Sequence, residues 1–154
     1  MRYLLAAINA KYIHSNLGIY SLRRYAMERL GLGQKDEQGA AVGMEMVSEA
    51  AEGENRTKTV SEIQIDLGEY TINHQMDQIL QDIYRRKPDV VGFSCYIWNI
   101  VYVKELIHDL KKVLPQVRIW MGGPEASYDA VHLMDELPEV CLLYTSPSPR
   151  DGAT

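Results

Sequence analysis

Hydrophobic residues along the chain follow two alternating patterns. Short apolar runs, typical of strands buried on both faces, occupy residues 3 to 9, 89 to 97 and 117 to 121. A run with more alternation at residues 60 to 67 predicts a more exposed strand, and Val140 begins another. The pattern therefore predicts five strands.

Between these strands, apolar residues recur at the spacing of a helix that buries one face. The four stripes consist of Ile19, Leu22, Ala26 and Leu30; Met76, Ile79, Leu80, Ile83 and Tyr84; Ile100, Val103, Ile107, Leu110 and Leu114; and Ala130, Leu133, Met134 and Leu137. We expect Ser15 or Asn16 to cap the first helix, Asn73 the second and Ser127 the fourth.

Strands that alternate with helices predict an α/β fold, in which a parallel sheet carries helices on both faces. Right-handed crossovers leave few strand orders, and we expect the flavodoxin-like (Rossmann-like) order 2-1-3-4-5. In such sheets ligands bind beyond the carboxyl ends of the strands, near the switch point between the first and third strands. A ligand site is therefore expected in the loops at that edge.

Residues 31 to 59 depart from this pattern, because small and polar residues dominate and aromatic residues are absent. Such a composition buries too little apolar surface to offset the entropy of ordering. We expect a mobile surface insertion within one domain that spans residues 1 to 140.

Composition excludes several classes of protein. A chain of 154 residues with 46% apolar and 24% charged residues is typical of one globular domain. Its net charge of −5 argues against a nucleic-acid partner. Its apolar runs are far shorter than the roughly 18 residues that cross a bilayer. With no signal-peptide pattern, we expect a cytoplasmic protein without a membrane partner.

Three loops at the carboxyl ends of predicted strands carry more polar and aromatic residues than turns need. They comprise residues 9 to 16, 94 to 99 and 122 to 127. Gly122 and Gly123 lack β-carbons, so a flat or bulky group can approach the backbone there. Ser94 places a hydroxyl at the same edge. The sequence contains no G-x-G-x-x-G fingerprint, P-loop or nucleophile elbow.

These loops carry a resemblance to a known family. A serine that closes the third strand, followed by Gly-Gly after the fourth, resembles the S-x-L…G-G part of cobalamin-binding domains. The strings Asn-Ala-Lys-Tyr-Ile-His-Ser-Asn from Asn9, Gly-Phe-Ser-Cys-Tyr-Ile-Trp-Asn from Gly92 and Gly-Gly-Pro-Glu-Ala-Ser-Tyr-Asp from Gly122 resemble the amino-terminal domain of B12-binding radical SAM proteins. The resemblance covers residues 1 to 30 and 60 to 140.

The resemblance implies a base-off cobalamin whose nucleotide tail threads into the sheet edge. Ser94 would form a hydrogen bond near the dimethylbenzimidazole base. Gly122 and Gly123 would make room for the tail, so tryptophan at Gly123 should block binding with little loss of folding. The residues expected to bind cobalamin are Asn9, Tyr12, His14, Ser15, Ser94, Tyr96, Trp98, Asn99, Gly122, Gly123, Pro124 and Glu125. No catalytic residue is expected in this domain.

The sequence departs from the wider superfamily in two respects. The D-x-H-x-x-G motif, which supplies an axial histidine to cobalt, is absent, so His14 is not assigned as a ligand and no protein metal site is predicted. Tyr96 also stands where the short motif has leucine.

The carboxyl terminus has an unusual sequence. Residues 141 to 151 match the translation of a transposase-type sequencing adapter, so we expect residues 141 to 154 to be an artefact and the fifth strand to be truncated. The resemblance implies that the parent enzyme continues into a radical SAM domain. That domain would be the partner of this one, with a 4Fe–4S cluster, S-adenosylmethionine and cobalamin that often carries a methyl group.

Two other functions stay open at this point. A flavodoxin-like interaction or regulatory module without a cofactor would close the sheet edge with side chains and pack Trp98 inward. A nucleotide or flavin binder is disfavoured by the missing phosphate-binding loops.

Overall fold

A computed structural model describes residues 1–11, 15–32 and 63–145. The strands are β1 (Arg2–Asn9), β2 (Gln64–Thr71), β3 (Val90–Ser94), β4 (Arg118–Gly122) and β5 (Val140–Tyr144). The helices are α1 (Leu17–Arg29), α2 (Met76–Arg86), α3 (Ile100–Val113), α4 (Pro124–Tyr128) and α5 (Ala130–Glu136). Most of the predicted insertion, residues 146 to 154 of the tail, and both Tyr12 and His14 lie outside the described residues.

The five strands form one parallel sheet in the order β2-β1-β3-β4-β5, which confirms the predicted topology. The register places Ala7 of β1 opposite Ser94, and Ser94 opposite Gly122 of β4. The carboxyl ends of β1, β3 and β4 therefore meet at one edge, where the polar loops begin.

Alternate residues of β1 point to opposite faces of the sheet. Leu4, Ala6 and Ile8 belong to a large core cluster that also contains the buried residues of α2, α3, α4 and α5. Leu5 and Ala7 instead pack with Ile19 of α1. We call these the packed face and the open face. The difference follows from topology, because the β1–β2 crossover runs across the sheet in the opposite direction to the later ones.

On the open face, α1 packs over β1 and β2. The register places the following residues of the other strands on this face: Val90, Gly92, Ser94, Arg118, Trp120, Gly122, Leu142 and Tyr144. Within the described ranges, the buried residues of every other helix belong to the packed-face cluster. The open face over β3, β4 and β5 consequently has no helix over it in this part of the chain.

The second strand lies further along the chain than the 60 to 67 predicted from the sequence. β2 extends past Gly68 to Thr71, because Tyr70 and Thr71 are both buried. The Tyr70 hydroxyl also donates a 2.6 Å hydrogen bond to Asp82 of α2. This buried tyrosine, which the alternation pattern did not use, fixes the end of the strand.

Helix capping matches the prediction at one of three positions. Asn16 caps α1, where its side-chain oxygen accepts from a backbone N–H at 3.0 Å. Asn73 does not cap α2, since the residue before that helix is Gln75. The predicted fourth helix is divided in two, with Ser127 inside α4 and Asp129 capping α5.

The fifth strand is formed largely by residues of the predicted artefactual tail. Val140–Tyr144 pairs with β4, with a register shift between Ile119 and Trp120. Only Val140 of this strand is buried. β5 therefore completes the sheet but adds little to the core.

Candidate functional site

The centre of the site is the backbone of Gly122, which carries no side chain, beside the Ser94 hydroxyl. We call the surface over these two residues the strip. Ser94, Gly122 and Tyr144 lie side by side across β3, β4 and β5 on the open face. A β-carbon on Gly122 would meet nothing closer than the Tyr144 β-carbon at 3.8 Å. Since Gly122 carries no side chain, a flat group can lie against the sheet next to a hydrogen-bonding hydroxyl.

Gly123 has a different role from its neighbour. Its φ is +105°, and a β-carbon would lie 2.5 Å from the carbonyl oxygen of Cys95 and 2.9 Å from its nitrogen. A side chain at Gly123 would therefore strain the backbone and separate the loops after β3 and β4. The expectation that a tryptophan at this position would spare the fold is wrong.

The same two loops are joined by backbone hydrogen bonds. Cys95 donates to the Gly122 carbonyl at 2.7 Å and accepts from the Glu125 N–H at 3.2 Å. The Cys95 side chain is fully buried. Burial, with a smaller contribution from the charge of Glu125, raises the pKa of its thiol to about 12. Cys95 is thus a neutral packing residue at neutral pH and not a thiolate.

Asn99 holds the loop after β3 against the end of β1. Its side-chain oxygen accepts from the Tyr96 N–H at 2.8 Å, and its amide nitrogen donates to the carbonyls of Ser94 at 2.9 Å and Ile8 at 3.0 Å. The residue is 1% exposed. These contacts place Asn99 beneath the site, where it fixes the loop that carries the aromatic residues.

Tyr96 and Trp98 form an aromatic platform at the carboxyl edge. Their rings stack with centroids 4.5 Å apart and planes 8° apart. Trp98 is 47% exposed and the neighbouring Ile97 is 77% exposed. A cofactor-free module was expected to pack Trp98 inward, so the exposed indole does not favour that alternative. An exposed apolar platform suits a large flat ligand.

Asn16 is a site residue that sequence analysis identified only as a helix cap. Its amide nitrogen donates to the Ser94 hydroxyl oxygen at 3.1 Å, and its backbone N–H donates to Glu69 at 3.0 Å. The contact joins residues 78 positions apart. The sequence did offer a signal for this residue. Asn16 is a polar helix cap in the loop after the first strand, and that loop lies at the edge of the sheet where Ser94 ends the third strand.

The remaining predicted site residues lie around this centre. Asn9 is half-buried at the end of β1, where its carbonyl accepts from Ile72 at 3.0 Å. Ser15 is exposed just before α1. Pro124 is exposed and Glu125 half-buried at the start of α4. Each belongs to a loop or helix end at the carboxyl edge.

No group of three or more His, Cys, Asp or Glu side chains in residues 1–11, 15–32 and 63–145 is arranged to hold a metal ion. No helix in the same ranges has the length and hydropathy needed to cross a membrane.

A family model for the B12 binding domain matches residues 3–145, from the first strand to just past the last. No curated protein matches the chain.

Proposed function

Since the chain belongs to the B12-binding domain family, we propose that it binds cobalamin in the base-off form, with the nucleotide tail on the open face beside Ser94. The observation that carries the proposal is the bare backbone of Gly122 next to the Ser94 hydroxyl. A bound cobalamin would supply a cobalt centre able to carry a methyl group. The residues of this chain bind and orient it.

The chemistry of the strip fits the tail of the cofactor. Dimethylbenzimidazole is a flat aromatic group with apolar faces and one free ring nitrogen when it has left cobalt. Gly122 leaves the open face uncovered beside Ser94, and Trp120 lies between Gly92 and Leu142 in the next row. Ser94 supplies a polar contact at the end of this largely apolar surface.

The loops at the edge suit the corrin ring. The stacked pair of Tyr96 and Trp98 offers an apolar platform, and Glu125 can accept hydrogen bonds from the amide side chains of the corrin. Asn99 keeps the platform in place through its buried hydrogen bonds. We propose that further contacts with the cofactor come from Asn9, Tyr12, His14, Ser15 and Pro124.

We further propose that this domain is the amino-terminal part of a B12-dependent radical SAM enzyme, and that residues 141 to 154 are foreign to it. The loop strings and the adapter-like residues 141 to 151 support this origin. The parent would then use a 4Fe–4S cluster and S-adenosylmethionine in its radical SAM domain. Genomic sequence past codon 140 tests the origin, since a downstream C-x-x-x-C-x-x-C motif is expected and its absence would contradict it.

Binding is tested by titrating the full chain with hydroxocobalamin and following tryptophan fluorescence. Trp98 and Trp120 both lie near the proposed site, and the corrin absorbs in the range of their emission. We expect saturable quenching, with equilibrium dialysis giving the same affinity. Urea-unfolded chain at equal concentration corrects for absorption by the free cofactor. A folded chain with no saturable quenching at high micromolar cofactor would contradict the proposal.

A further inference from the structure

We infer that Asn16 is a positioning residue that presents the Ser94 hydroxyl as a hydrogen-bond donor, so that the site selects a corrinoid tail ending in a ring-nitrogen acceptor. The inference rests on the proposed cobalamin site. It concerns a contact between α1 and β3 that fixes the direction of one hydroxyl.

The orientation of the Asn16 amide is determined by its role as a cap. The backbone N–H of Gly18 donates to the Asn16 side-chain oxygen at 3.0 Å. Because a backbone N–H can only donate, the oxygen must face Gly18 and the NH₂ group must face Ser94. The 3.1 Å contact with Ser94 is therefore donated by Asn16 and accepted by the hydroxyl.

The hydrogen of the Ser94 hydroxyl then points away from Asn16. A serine hydroxyl holds one hydrogen and two lone pairs. One lone pair receives the Asn16 amide, and no acceptor among the described residues takes the hydrogen. Ser94 is half-buried beside the bare backbone of Gly122. A ligand on that strip can accept this hydrogen.

Asn16 is held in place by burial and by hydrogen bonds of its own. It is 9% exposed, and its backbone N–H donates to one oxygen of the Glu69 carboxylate at 3.0 Å. The other oxygen accepts from the Tyr20 hydroxyl at 2.8 Å. The cap, the carboxylate and the tyrosine together fix the end of α1 relative to β2 and β3.

A donor at this place discriminates between corrinoid tails. The ring nitrogen of dimethylbenzimidazole is an acceptor once it has left cobalt. A phenolyl cobamide keeps the nucleotide loop but ends in a ring without that nitrogen, and cobinamide has no nucleotide. Ser94 should therefore favour cobalamin over the phenolyl cobamide, because only cobalamin accepts the hydrogen bond.

The test is the variant Asn16→Asp in the full chain. Aspartate keeps an oxygen for the cap of α1, but its second oxygen would accept the Ser94 hydrogen and turn the hydroxyl away from the ligand. Cobalamin must also release its base from cobalt, which the phenolyl cobamide need not do, but this cost is the same for every variant. We therefore expect the ratio of cobalamin affinity to phenolyl cobamide affinity to fall about tenfold from the wild type to Asn16→Asp, a typical value for one hydrogen bond, while cobinamide affinity stays unchanged.

Three further variants separate this role from general effects. Ser21→Asp adds the same charge at an exposed position of α1 and should keep the wild-type affinity ratio. Ser94→Ala should lower the ratio as Asn16→Asp does, and adding Asn16→Asp to Ser94→Ala should lower it no further. If thermal melting shows that Asn16→Asp is unfolded, Asn16→Ser replaces it, since serine caps the helix without an amide donor.

The outcomes distinguish the inference from the function on which it rests. Cobalamin binding whose affinity ratio to the phenolyl cobamide is unchanged in Asn16→Asp overturns the inference, and so does an unchanged ratio in Ser94→Ala. In both cases the proposed cobalamin binding stands. A folded wild type that binds none of the three corrinoids overturns the proposed function and the inference together.

Discussion

Replacing Gly122 with leucine should weaken cobalamin binding at least about 100-fold, or ~3 kcal/mol of binding free energy, while the domain remains folded. The leucine side chain would extend from β4 over the open face, into the strip beside Ser94. The fold should tolerate it, because the nearest atom to a β-carbon at Gly122 is 3.8 Å away. Fluorescence titration with hydroxocobalamin measures the affinity, and a thermal melt checks folding.

A matched control lies on the same strand and the same face. Arg118 is an exposed residue at the other end of β4. Arg118→Leu adds a leucine to the open face away from the strip and should bind cobalamin like the wild type. If Gly122→Leu also bound like the wild type, the nucleotide tail would have to lie elsewhere.

Replacing Gly123 with alanine should lower the free energy of unfolding by about 3 kcal/mol, the upper range for a residue forced into a conformation that only glycine adopts easily. The φ of +105° and the 2.5 Å approach to the Cys95 carbonyl both oppose a β-carbon. Since the opposing atoms belong to the backbone, no side chain can move aside to relieve the contact. Urea denaturation followed by circular dichroism measures the change.

The adjacent glycine provides the control for this prediction. Gly122→Ala places its β-carbon at ordinary contact distance from Tyr144, so it should change the free energy of unfolding by less than about 1 kcal/mol. Equal stability of the two alanine variants would show that Gly123 does not hold the two loops together. The pair of substitutions thus separates a glycine that leaves space for a ligand from one required by the backbone.

The strand order was predictable because most strands and helices carry a hydrophobic period of their own, although Leu22 of the predicted α1 stripe is 55% exposed. Ile79 and Ile83 on α2, like Val103 and Ile107 on α3, were assigned to buried stripes and are buried. Right-handed crossovers then left few ways to connect these elements. Ser94 and Gly122 could be placed at one edge for the same reason, since parallel strands align their carboxyl ends.

Features that depend on tertiary contacts were not predictable from local patterns. β2 runs on to Thr71 because Tyr70 packs into the core and bonds to Asp82, although Gly68 interrupts the alternation. Gly123 has a positive φ and leaves no room for a β-carbon beside Cys95, a contact between two loops that no local pattern shows. The bond from Asn16 to Ser94 depends on where α1 lies over the sheet, which no spacing in the sequence records.

The visible spectrum of methylcobalamin bound to the full chain tests the central claim most directly. Loss of the bond between cobalt and dimethylbenzimidazole shifts the main visible band to shorter wavelength, so the spectrum reports where the tail lies. If the tail occupies the strip beside Ser94 and Gly122, saturating protein should convert the spectrum at neutral pH to the base-off form, and Gly122→Leu should not. A bound cofactor that keeps its base-on spectrum, or a folded chain that leaves the spectrum unchanged, would contradict the account.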